Sequence, residues 1–572
     1  MGISVKEKDE ILEKAGRYVQ DEKDDFFRSE VEGLIEKNDV DELYERFYTS
    51  LSFGTAGMRG VIGGGTNRIN TFMVRKVTQG LCQYLSSFES PSVTIAYDSR
   101  HYSKEFALSA ALVLAANGIK TYLYDTLHPV PMLSFAVRHL KSTAGIVVTA
   151  SHNPSKYNGY KVYWSDGGQV TPPHDVGIAK LANSVEGKDI KDISEEEARA
   201  KGILESVPES VDRAYFDMVK ASLRRPEVFA SSKIKVAYTP LHGSGNVPVR
   251  TILKELGVDV EVVKEQEAPD GAFPTVKLPN PESHEAMEKV IELAKSVKAD
   301  IVFGTDPDAD RLGLAIPKDK DKSEYVLLTG NQIATLLADY LLSTRKELYK
   351  GSLKAVVVKS IVTTDIIKKI AEKNGAEAKD VLTGFKYIAE VMESIDEEKV
   401  KEHQFLFGCE ESYGFLTVNE VHDKDAVSSL VAATEMMAYY AGLGKSLIER
   451  LEEIYDEYGY YTERVFSRDY EGSSGKEKMR QIMAKLRSLS IGDELAGRKI
   501  SEKRDLLSDD DTGLPKSDVL IFTFTSSERL VVRPSGTEPK IKYYIFFSAE
   551  KGNRKELEEN LPKLLSEFQE AL

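Results

Sequence analysis

Three carboxylates stand at alternate positions in the stretch Thr305-Asp306-Pro307-Asp308-Ala309-Asp310-Arg311. An apolar run, 301–303, precedes them, which predicts that they leave the end of a buried strand together. They would repel one another unless a cation lay among them, and oxygen ligands of this kind favour Mg²⁺. A calcium-binding EF-hand is excluded, because it needs Gly and Glu where this chain has Arg311 and Pro317. The remaining alternative is a solvated acidic turn.

A serine occupies a similar place in Thr149-Ala150-Ser151-His152-Asn153-Pro154, after the apolar run 144–148. Its hydroxyl could be a nucleophile or phosphate carrier, or it could simply bond to its own backbone in a turn. Three acidic ligands leave Mg²⁺ positions that water and phosphate oxygens usually fill, which favours a phosphate carrier. A hydrolase-type relay is not indicated, because Ser151 and His152 are adjacent and Gly-x-Ser-x-Gly is absent.

Two later loops carry groups suited to a phosphorylated sugar. In Gly408-Cys409-Glu410-Glu411-Ser412-Tyr413-Gly414, paired carboxylates beside a serine suit vicinal hydroxyls, although such clusters are more often solvated turns. In Arg533-Pro534-Ser535-Gly536-Thr537-Glu538-Pro539-Lys540, the hydroxyls, the N–H of Gly536 and the guanidinium of Arg533 suit a phosphate dianion. A hairpin turn is the alternative interpretation of this second loop.

The elements that position these loops repeat one order, strand then helix then glycine then strand. The first version runs from strand 93–97 through a helix that begins with Ser103 as its N-cap and stops at Gly118, to strand 119–124. The second runs from strand 234–238 through a helix that stops at Gly257, and the third from strand 355–358 through a helix that ends near Gly375. This repetition predicts three related α/β domains.

The two ends of the chain differ from this pattern. Residues 5–48 are charged, with apolar residues at helical intervals, and predict a helical extension. From Tyr460 the order of a strand, a helix at 476–489, strands 519–525, 529–532 and 540–547 and a closing helix predicts an α+β domain. We therefore expect four domains, at 1–205, 206–324, 325–455 and 456–572, with the serine, the aspartates, the paired glutamates and the Arg533 loop one in each.

Composition narrows the function classes. A formal net charge of −16 argues against general binding to nucleic acid or anionic membranes. The two cysteines, Cys82 and Cys409, are far apart and indicate packing residues rather than a disulfide or zinc site. The charged N-terminus has no signal-peptide core, and no apolar run is long enough to span a membrane, so a cytoplasmic protein is expected.

Taken together, Thr-Ala-Ser-His-Asn-Pro, Asp-Pro-Asp-Ala-Asp-Arg, Gly-Cys-Glu-Glu-Ser-Tyr-Gly and Arg-Pro-Ser-Gly-Thr-Glu-Pro-Lys resemble the α-D-phosphohexomutase superfamily. The resemblance spans about residues 50 to 545. Gly54-Thr55-Ala56-Gly57-Met58-Arg59-Gly60 and the N-terminal extension look like the phosphoglucomutase-2 and phosphopentomutase branch, which includes longer bacterial phosphoglucomutases. The resemblance implies an α/β protein with four domains around a central cleft, three related mixed α/β domains and a C-terminal α+β domain.

The resemblance also implies a role for individual residues. Ser151 would carry the phosphate, and Asp306, Asp308 and Asp310 would hold Mg²⁺ together with an oxygen of phosphorylated Ser151. Arg59, Lys161 and Arg311 would surround the transferring phosphoryl group, with His152 beside it. Residues that would bind the substrate's sugar hydroxyls or its non-reacting phosphate are Lys386, Glu410, Ser412, Arg533, Ser535, Gly536, Thr537 and Lys540.

The activity implied is the interconversion of glucose 1-phosphate and glucose 6-phosphate, with glucose 1,6-bisphosphate as activator and intermediate. Phosphopentomutase and phosphomannomutase are the alternatives within the family, and the Glu-Glu-Ser loop looks like the glucose type. A non-catalytic sugar-phosphate-binding protein is the more remote alternative, and it predicts loss of the serine, a metal carboxylate or the phosphate cradle. Small phosphosugars are the expected partners, for a monomer or homodimer.

Overall fold

The structure, a computed structural model, describes residues 4–54, 57–470, 475–508, 513–535 and 540–572. The chain forms two compact units. The first contains the chain up to Leu328 together with Ile388–Lys399 and Ser412–Leu443. The second contains Thr329–Tyr387, Val400–Glu411 and Gly444–Leu572.

Three helices form the N-terminal extension, as the sequence predicts: α1 (Val5–Asp21), α2 (Asp25–Glu36) and α3 (Val40–Phe47). Ser4 and Asp24 cap the first two, because each side chain accepts backbone N–H groups of the first turn. Tyr18 and Phe27 are buried against the first domain. Glu22 ties the extension to that domain, since its Oε2 accepts the Tyr18 hydroxyl at 2.8 Å and the N–H of Phe72 at 3.1 Å.

The first sheet has the strand order β1-β5-β4-β2-β3-β6. Strands β4, β2, β3 and β6 are parallel, and β5 runs antiparallel to both β4 and β1. Its strands and the helices that accompany them are β1 (Gly57–Val61), α4 (Thr71–Leu85), β2 (Ser92–Tyr97), α5 (Ser103–Ala116), β3 (Lys120–Leu123), α6 (Val130–His139), β4 (Ala144–Val148), β5 (Tyr157–Trp164), α7 (His174–Ser184), α8 (Glu195–Ala200) and β6 (Leu204–Ser206), with a 3-10 turn at Gly187–Asp189.

The second sheet has the order β11-β10-β9-β7-β8. Strands β8, β7 and β9 are parallel, and β10 and β11 continue as antiparallel hairpins. The elements from the end of the first sheet onward are α9 (Glu209–Ala221), α10 (Val228–Ser231), β7 (Lys235–Thr239), α11 (Asn246–Glu255), β8 (Asp259–Val262), α12 (Lys264–Glu267), α13 (His284–Val297), β9 (Ile301–Thr305), β10 (Leu312–Pro317) and β11 (Tyr325–Leu327). Its core includes Met287 and Val290 of α13, packed with Val302 of β9.

A parallel sheet in the order β13-β12-β14 follows in the second unit. The elements of this part of the chain are α14 (Gly330–Leu348), β12 (Lys354–Ser360), α15 (Ile366–Lys373), β13 (Glu377–Val381), α16 (Phe385–Asp396), β14 (His403–Glu410), β15 (Gly414–Leu416), α17 (Ala426–Gly442) and α18 (Leu447–Tyr458). Of these, β15, α17 and the part of α16 from Ile388 onward belong to the first unit.

The last sheet is antiparallel throughout, in the order β16-β21-β20-β19-β18-β17. Its elements are β16 (Tyr460–Asp469), α19 (Gly475–Arg487), β17 (Glu494–Leu495), β18 (Arg498–Asp505), β19 (Leu520–Phe524), β20 (Arg529–Pro534), β21 (Lys540–Ala549) and α20 (Arg554–Ala571). Three α/β domains and a C-terminal domain with an antiparallel sheet therefore confirm the predicted fold class.

The three glycine stops are confirmed as well. Gly118, Gly257 and Gly375 have φ of +76°, +77° and +69°. A Cβ at any of them would meet no atom within 4 Å, so the backbone conformation rather than space calls for glycine.

The prediction that Ser103 caps α5 is wrong. Tyr102, with φ of +63°, is the N-cap and makes no side-chain cap bond. The Ser103 hydroxyl donates instead to Asp98 Oδ1 at 2.7 Å, because the buried carboxylate is a stronger acceptor than the alternatives in the turn.

Candidate active site

Ser151 lies where β4 ends and the chain turns back toward β5. Its φ of +52° is in the left-handed region, which non-glycine residues adopt at some conformational cost. Its backbone N–H donates to Thr149 Oγ1 at 2.8 Å, and its own hydroxyl donates to Asp306 Oδ2 at 2.8 Å. His152 Nδ1 lies 3.1 Å from the same hydroxyl. The turn thus directs a buried serine hydroxyl at a carboxylate of the second sheet's domain.

Asp306, Asp308 and Asp310 lie in the turn between β9 and β10, and all three are buried. The three offer oxygens that lie within 4.8 Å of one another. Asp306 Oδ1 accepts the N–H groups of Asp310 at 3.1 Å and Arg311 at 3.0 Å, which fixes the turn. Oδ1 of Asp308 and Oδ1 of Asp310 are buried without a hydrogen-bond partner among the described residues. Unpartnered buried carboxylate oxygens fit a hard divalent cation.

The pKa values of the aspartates also bear on whether they could bind a cation. Burial, followed by the charges of Asp308 and Asp310, raises the pKa of Asp306 well above its usual range. Burial acts on Asp308 too, but the charge of Lys161 and a hydrogen bond with Asp306 outweigh it and lower the pKa of that carboxyl. A nearby cation thus keeps a carboxylate of this cluster charged. The aspartates could therefore hold a metal ion, as the sequence predicts.

Two lysines flank the aspartates. Lys161 of β5 places Nζ 3.4 Å from Asp308 Oδ2. Lys424 places Nζ 3.0 Å from Asp310 Oδ2 and 3.0 Å from Asp423 Oδ1. Asp423 is held in turn by the hydroxyl of Tyr163, which donates to its Oδ2 at 2.6 Å.

Lys424 and Asp423 are not among the residues predicted from the sequence. The feature that could have indicated them is the polar run from His422 to Asp425, which lies between two buried segments. Charged residues are rarely buried unless they are paired or have a functional role. Their side chains reach the aspartates only after the chain has folded, so spacing alone did not connect them to the metal loop.

Three other residues are predicted around the phosphoryl group, and each has a different environment: Arg59, Arg311 and His152. Arg59 is exposed on β1, and its Nη1 donates to Asn153 Oδ1 at 3.3 Å, beside the serine. Arg311 forms an ion pair with Glu282. Burial, with Arg311 and Arg59 near, lowers the pKa of His152 well below its usual value, which favours a neutral imidazole.

In the second unit, Glu410 ends β14 and is buried. Its Oε1 accepts the N–H of Gly384 at 2.7 Å, which brings the Thr383-Gly384-Phe385-Lys386 turn to the glutamate. Lys386 Nζ lies 5.0 Å from the ring centroid of Tyr387. Glu410 thus contacts the turn that carries Lys386, whereas Ser412 belongs to the first unit.

The described residues of the predicted phosphate cradle lie at or just after the end of β20 and at the start of β21. Arg533 is paired with Lys542 across the two strands, and the N–H of Ser535 donates to the carbonyl of Lys540 at 2.8 Å. These contacts bring Arg533, Ser535 and Lys540 to one end of the sheet. The other two predicted residues, Gly536 and Thr537, lie outside the described residues.

None of the helices in the described ranges is long and apolar enough to cross a membrane. Comparison with solved structures shows a shared fold. A phosphomannomutase described as putative, from Thermus thermophilus, is 22% identical, with a TM-score of 0.67 over 91% of this chain and 99% of that one. The open form of the Paramecium phosphoprotein parafusin is 18% identical, with a TM-score of 0.66 over 91% of this chain and 96% of that one.

Sequence comparison is more specific. Residues 50–188, 213–319 and 329–458 match the family descriptions "Phosphoglucomutase/phosphomannomutase, alpha/beta/alpha" domains I, II and III. Proteins named phosphoglucomutase from Staphylococcus epidermidis and Staphylococcus aureus are each 38% identical, over 89% and 90% of this chain and 93% of the relative. With its serine, aspartate and glutamate loops in the order that the resemblance implies, the chain belongs to the phosphoglucomutase/phosphomannomutase family.

Proposed function

We propose that this protein interconverts glucose 1-phosphate and glucose 6-phosphate, through a phosphoserine at Ser151 and a glucose 1,6-bisphosphate intermediate. The observation that carries the proposal is the Ser151 hydroxyl, held 2.8 Å from Asp306 in a buried set of three aspartates. The phosphoglucomutases that are 38% identical over about nine tenths of the chain support the same activity.

Asp306, Asp308 and Asp310, with an oxygen of phosphorylated Ser151, would hold Mg²⁺. A bound magnesium ion would offset the negative charge of the phosphoryl group during transfer. The oxygens of Asp308 and Asp310 that have no hydrogen-bond partner among the described residues support this assignment.

Ser151 would carry the phosphoryl group between the two halves of the reaction. In the first, the bond between its Oγ and phosphorus breaks while a sugar hydroxyl oxygen bonds to phosphorus and gives up its proton. In the second, the bisphosphate returns its other phosphoryl group to Oγ. His152 and Lys161 are the candidates to take and return the proton, and Arg59 and Arg311 would offset charge on the transferring group.

The remaining predicted residues would hold the substrate. Glu410 and Ser412 would accept hydrogen bonds from sugar hydroxyls, and Lys386 would make a further contact with sugar or phosphate. The non-reacting phosphate would be bound at the β20–β21 hairpin by Arg533, Ser535, Gly536, Thr537 and Lys540.

We also propose that the chain divides into four domains near residues 205, 325 and 456. Each of these positions falls within an element: 205 in β6 (Leu204–Ser206), 325 at the start of β11 (Tyr325–Leu327) and 456 near the end of α18 (Leu447–Tyr458). The family matches at 50–188, 213–319 and 329–458 support the same division.

The test is to incubate the purified protein with Mg²⁺, glucose 1-phosphate and a trace of glucose 1,6-bisphosphate, and to follow glucose 6-phosphate. Comparing kcat/KM for ribose 1-phosphate and mannose 1-phosphate decides between this activity and phosphopentomutase or phosphomannomutase. If no product forms from any of the three sugar phosphates in the presence of Mg²⁺ and glucose 1,6-bisphosphate, the result would instead support a non-catalytic sugar-phosphate-binding protein.

A further inference from the structure

Arg100 lies directly beneath the Ser151 loop, defined here as residues 149–157. Its side chain is fully buried, at 0% exposure. Its guanidinium donates to four backbone carbonyls of that loop: Pro154 at 2.9 Å, Tyr157 at 3.0 Å, Asn153 at 2.5 Å, and Ser151 itself. One planar group with several fixed donors therefore bonds to the loop on both sides of its turn.

Asp98 fixes Arg100 and the start of the loop at the same time. Its carboxylate lies 3.4 Å from Nε of the Arg100 side chain and accepts the backbone N–H of Arg100 at 2.9 Å. It also accepts the hydroxyls of Ser103 at 2.7 Å and Thr149 at 2.6 Å. The ring of Phe273 covers the guanidinium, with its centroid 4.9 Å away, so water has little access to the pair.

Thr149 links Asp98 to both the Ser151 loop and the turn that carries Asp308. Its Oγ1 accepts the N–H of Ser151 at 2.8 Å and lies 3.0 Å from Asp308 Oδ2. A hydroxyl has one proton to donate, and the shorter contact is with Asp98. Asp98 therefore orients the Thr149 hydroxyl so that its lone pair faces the backbone of Ser151.

We propose that Arg100, oriented by Asp98, is a positioning residue that keeps Ser151 in its left-handed conformation beside Asp306 whether or not the serine is phosphorylated. This inference rests on the proposed phosphoserine mechanism. Phosphorylation adds nearly two negative charges next to the aspartates, and repulsion would push a loosely held turn away. Bonds from one cation to four carbonyls of the turn oppose that displacement, whereas a lysine could reach only some of them.

The test uses Arg100→Gln, Arg100→Lys and Asp98→Asn in the full chain, assayed with glucose 1-phosphate. For Arg100→Gln we expect kcat to fall about 100-fold with KM changed less than about twofold, because misplacing the reacting atom affects the transfer and not the groups that bind the sugar. Arg100→Lys should recover part of kcat. Asp98→Asn, which keeps the shape of the side chain, should show a smaller loss of the same kind.

Arg498→Gln is the matched control. Arg498 is also buried, bonds to Glu528 at 2.9 Å, and lies 4.6 Å from the centroid of the Phe568 ring, in the C-terminal domain. A general loss of packing should lower Tm in both Gln variants, but only Arg100→Gln should lower kcat. Equal kcat in the two variants, or a raised KM with unchanged kcat in Arg100→Gln, would overturn the proposal.

Amide hydrogen exchange of residues 149–157, measured in wild type and in each soluble variant, reports loop order without any assay of activity. We expect faster exchange in this loop in Arg100→Gln and Asp98→Asn than in wild type and Arg498→Gln. If wild type turns over none of the sugar phosphates, the proposed function fails, while this measurement still decides whether Arg100 orders the loop. Unchanged exchange in Arg100→Gln would refute the positioning role.

Discussion

The hydroxyl of Ser151 lies 2.8 Å from Oδ2 of Asp306, although 155 positions separate the two residues in the chain. Each belongs to a turn that follows a buried strand, β4 in one sheet and β9 in the other. A phosphate on that hydroxyl would therefore lie beside the three aspartates.

Ser151→Ala should lower kcat by about 1000-fold or more, because it removes the oxygen that would carry the phosphoryl group. The measurement is formation of glucose 6-phosphate from glucose 1-phosphate, with intact-mass analysis of the protein after incubation with glucose 1,6-bisphosphate. Ser155→Ala, a change in the same loop, should leave both activity and the added phosphate as in wild type. Full activity in Ser151→Ala would reject the phosphoserine mechanism.

Asp310→Asn should weaken binding of divalent metal by at least about tenfold, because it replaces a charged oxygen ligand with a neutral one. Titration calorimetry with Mn²⁺ measures this directly, and the wild-type enzyme should lose activity in EDTA and regain it with Mg²⁺. Asp321→Asn changes an exposed carboxylate after β10 and should bind metal as wild type does. Equal affinity in wild type and Asp310→Asn would place the metal elsewhere.

Lys424→Met should have opposite effects on metal binding and on turnover. Removing a cation 3.0 Å from Asp310 reduces repulsion of the metal ion, so Mn²⁺ should bind several-fold more tightly. The same change removes a positive charge from the surroundings of the transferring phosphoryl group, so kcat should fall about tenfold or more. The control is Lys445→Met, a lysine paired with Glu453 on the surface, for which neither quantity should change.

Asp425 gives a prediction for stability against pH. Its carboxylate is fully buried, accepts the Tyr215 hydroxyl at 2.9 Å and caps α17, and burial raises its pKa to about 6 from the ordinary 3.8. The folded protein thus holds this proton more tightly than the unfolded chain does. The stabilisation is complete below about pH 4 and is lost as the pH rises through 6, with an upper bound of about 3 kcal/mol.

Asp425→Asn keeps a cap but cannot titrate. From pH 4 to pH 7 the free energy of unfolding of Asp425→Asn should therefore increase, relative to that of wild type, by up to about 3 kcal/mol. Chemical denaturation at several pH values measures the difference, and Asp9→Asn, an exposed carboxylate of α1, should show none of this trend. A constant difference between Asp425→Asn and wild type across this pH range contradicts the prediction.

Local patterns sufficed for the fold class and for the strand-end positions of Ser151 and the three aspartates. Apolar runs placed Ser151 and the aspartates at strand ends, and the glycine stops marked three helix ends, because each depends on nearby residues alone. Ser103 was misjudged, since its hydroxyl serves a buried carboxylate that no local pattern reveals. The roles of Arg100 and Lys424 were not predicted from the sequence for the same reason. Each acts on a loop distant in sequence, and such pairs are set by tertiary packing rather than by spacing.

The first unit is not continuous along the chain, because it includes Ser412–Leu443 and thus the residues that place Lys424 on Asp310 and Asp425 on Tyr215. During synthesis on the ribosome, the Ser151 loop emerges long before these partners. Thr329–Tyr387, all part of the second unit, must be translated in between. The aspartate site can therefore be completed only late in translation, and a nascent chain stalled before Ser412 would present the serine loop without the lysine that pairs with Asp310.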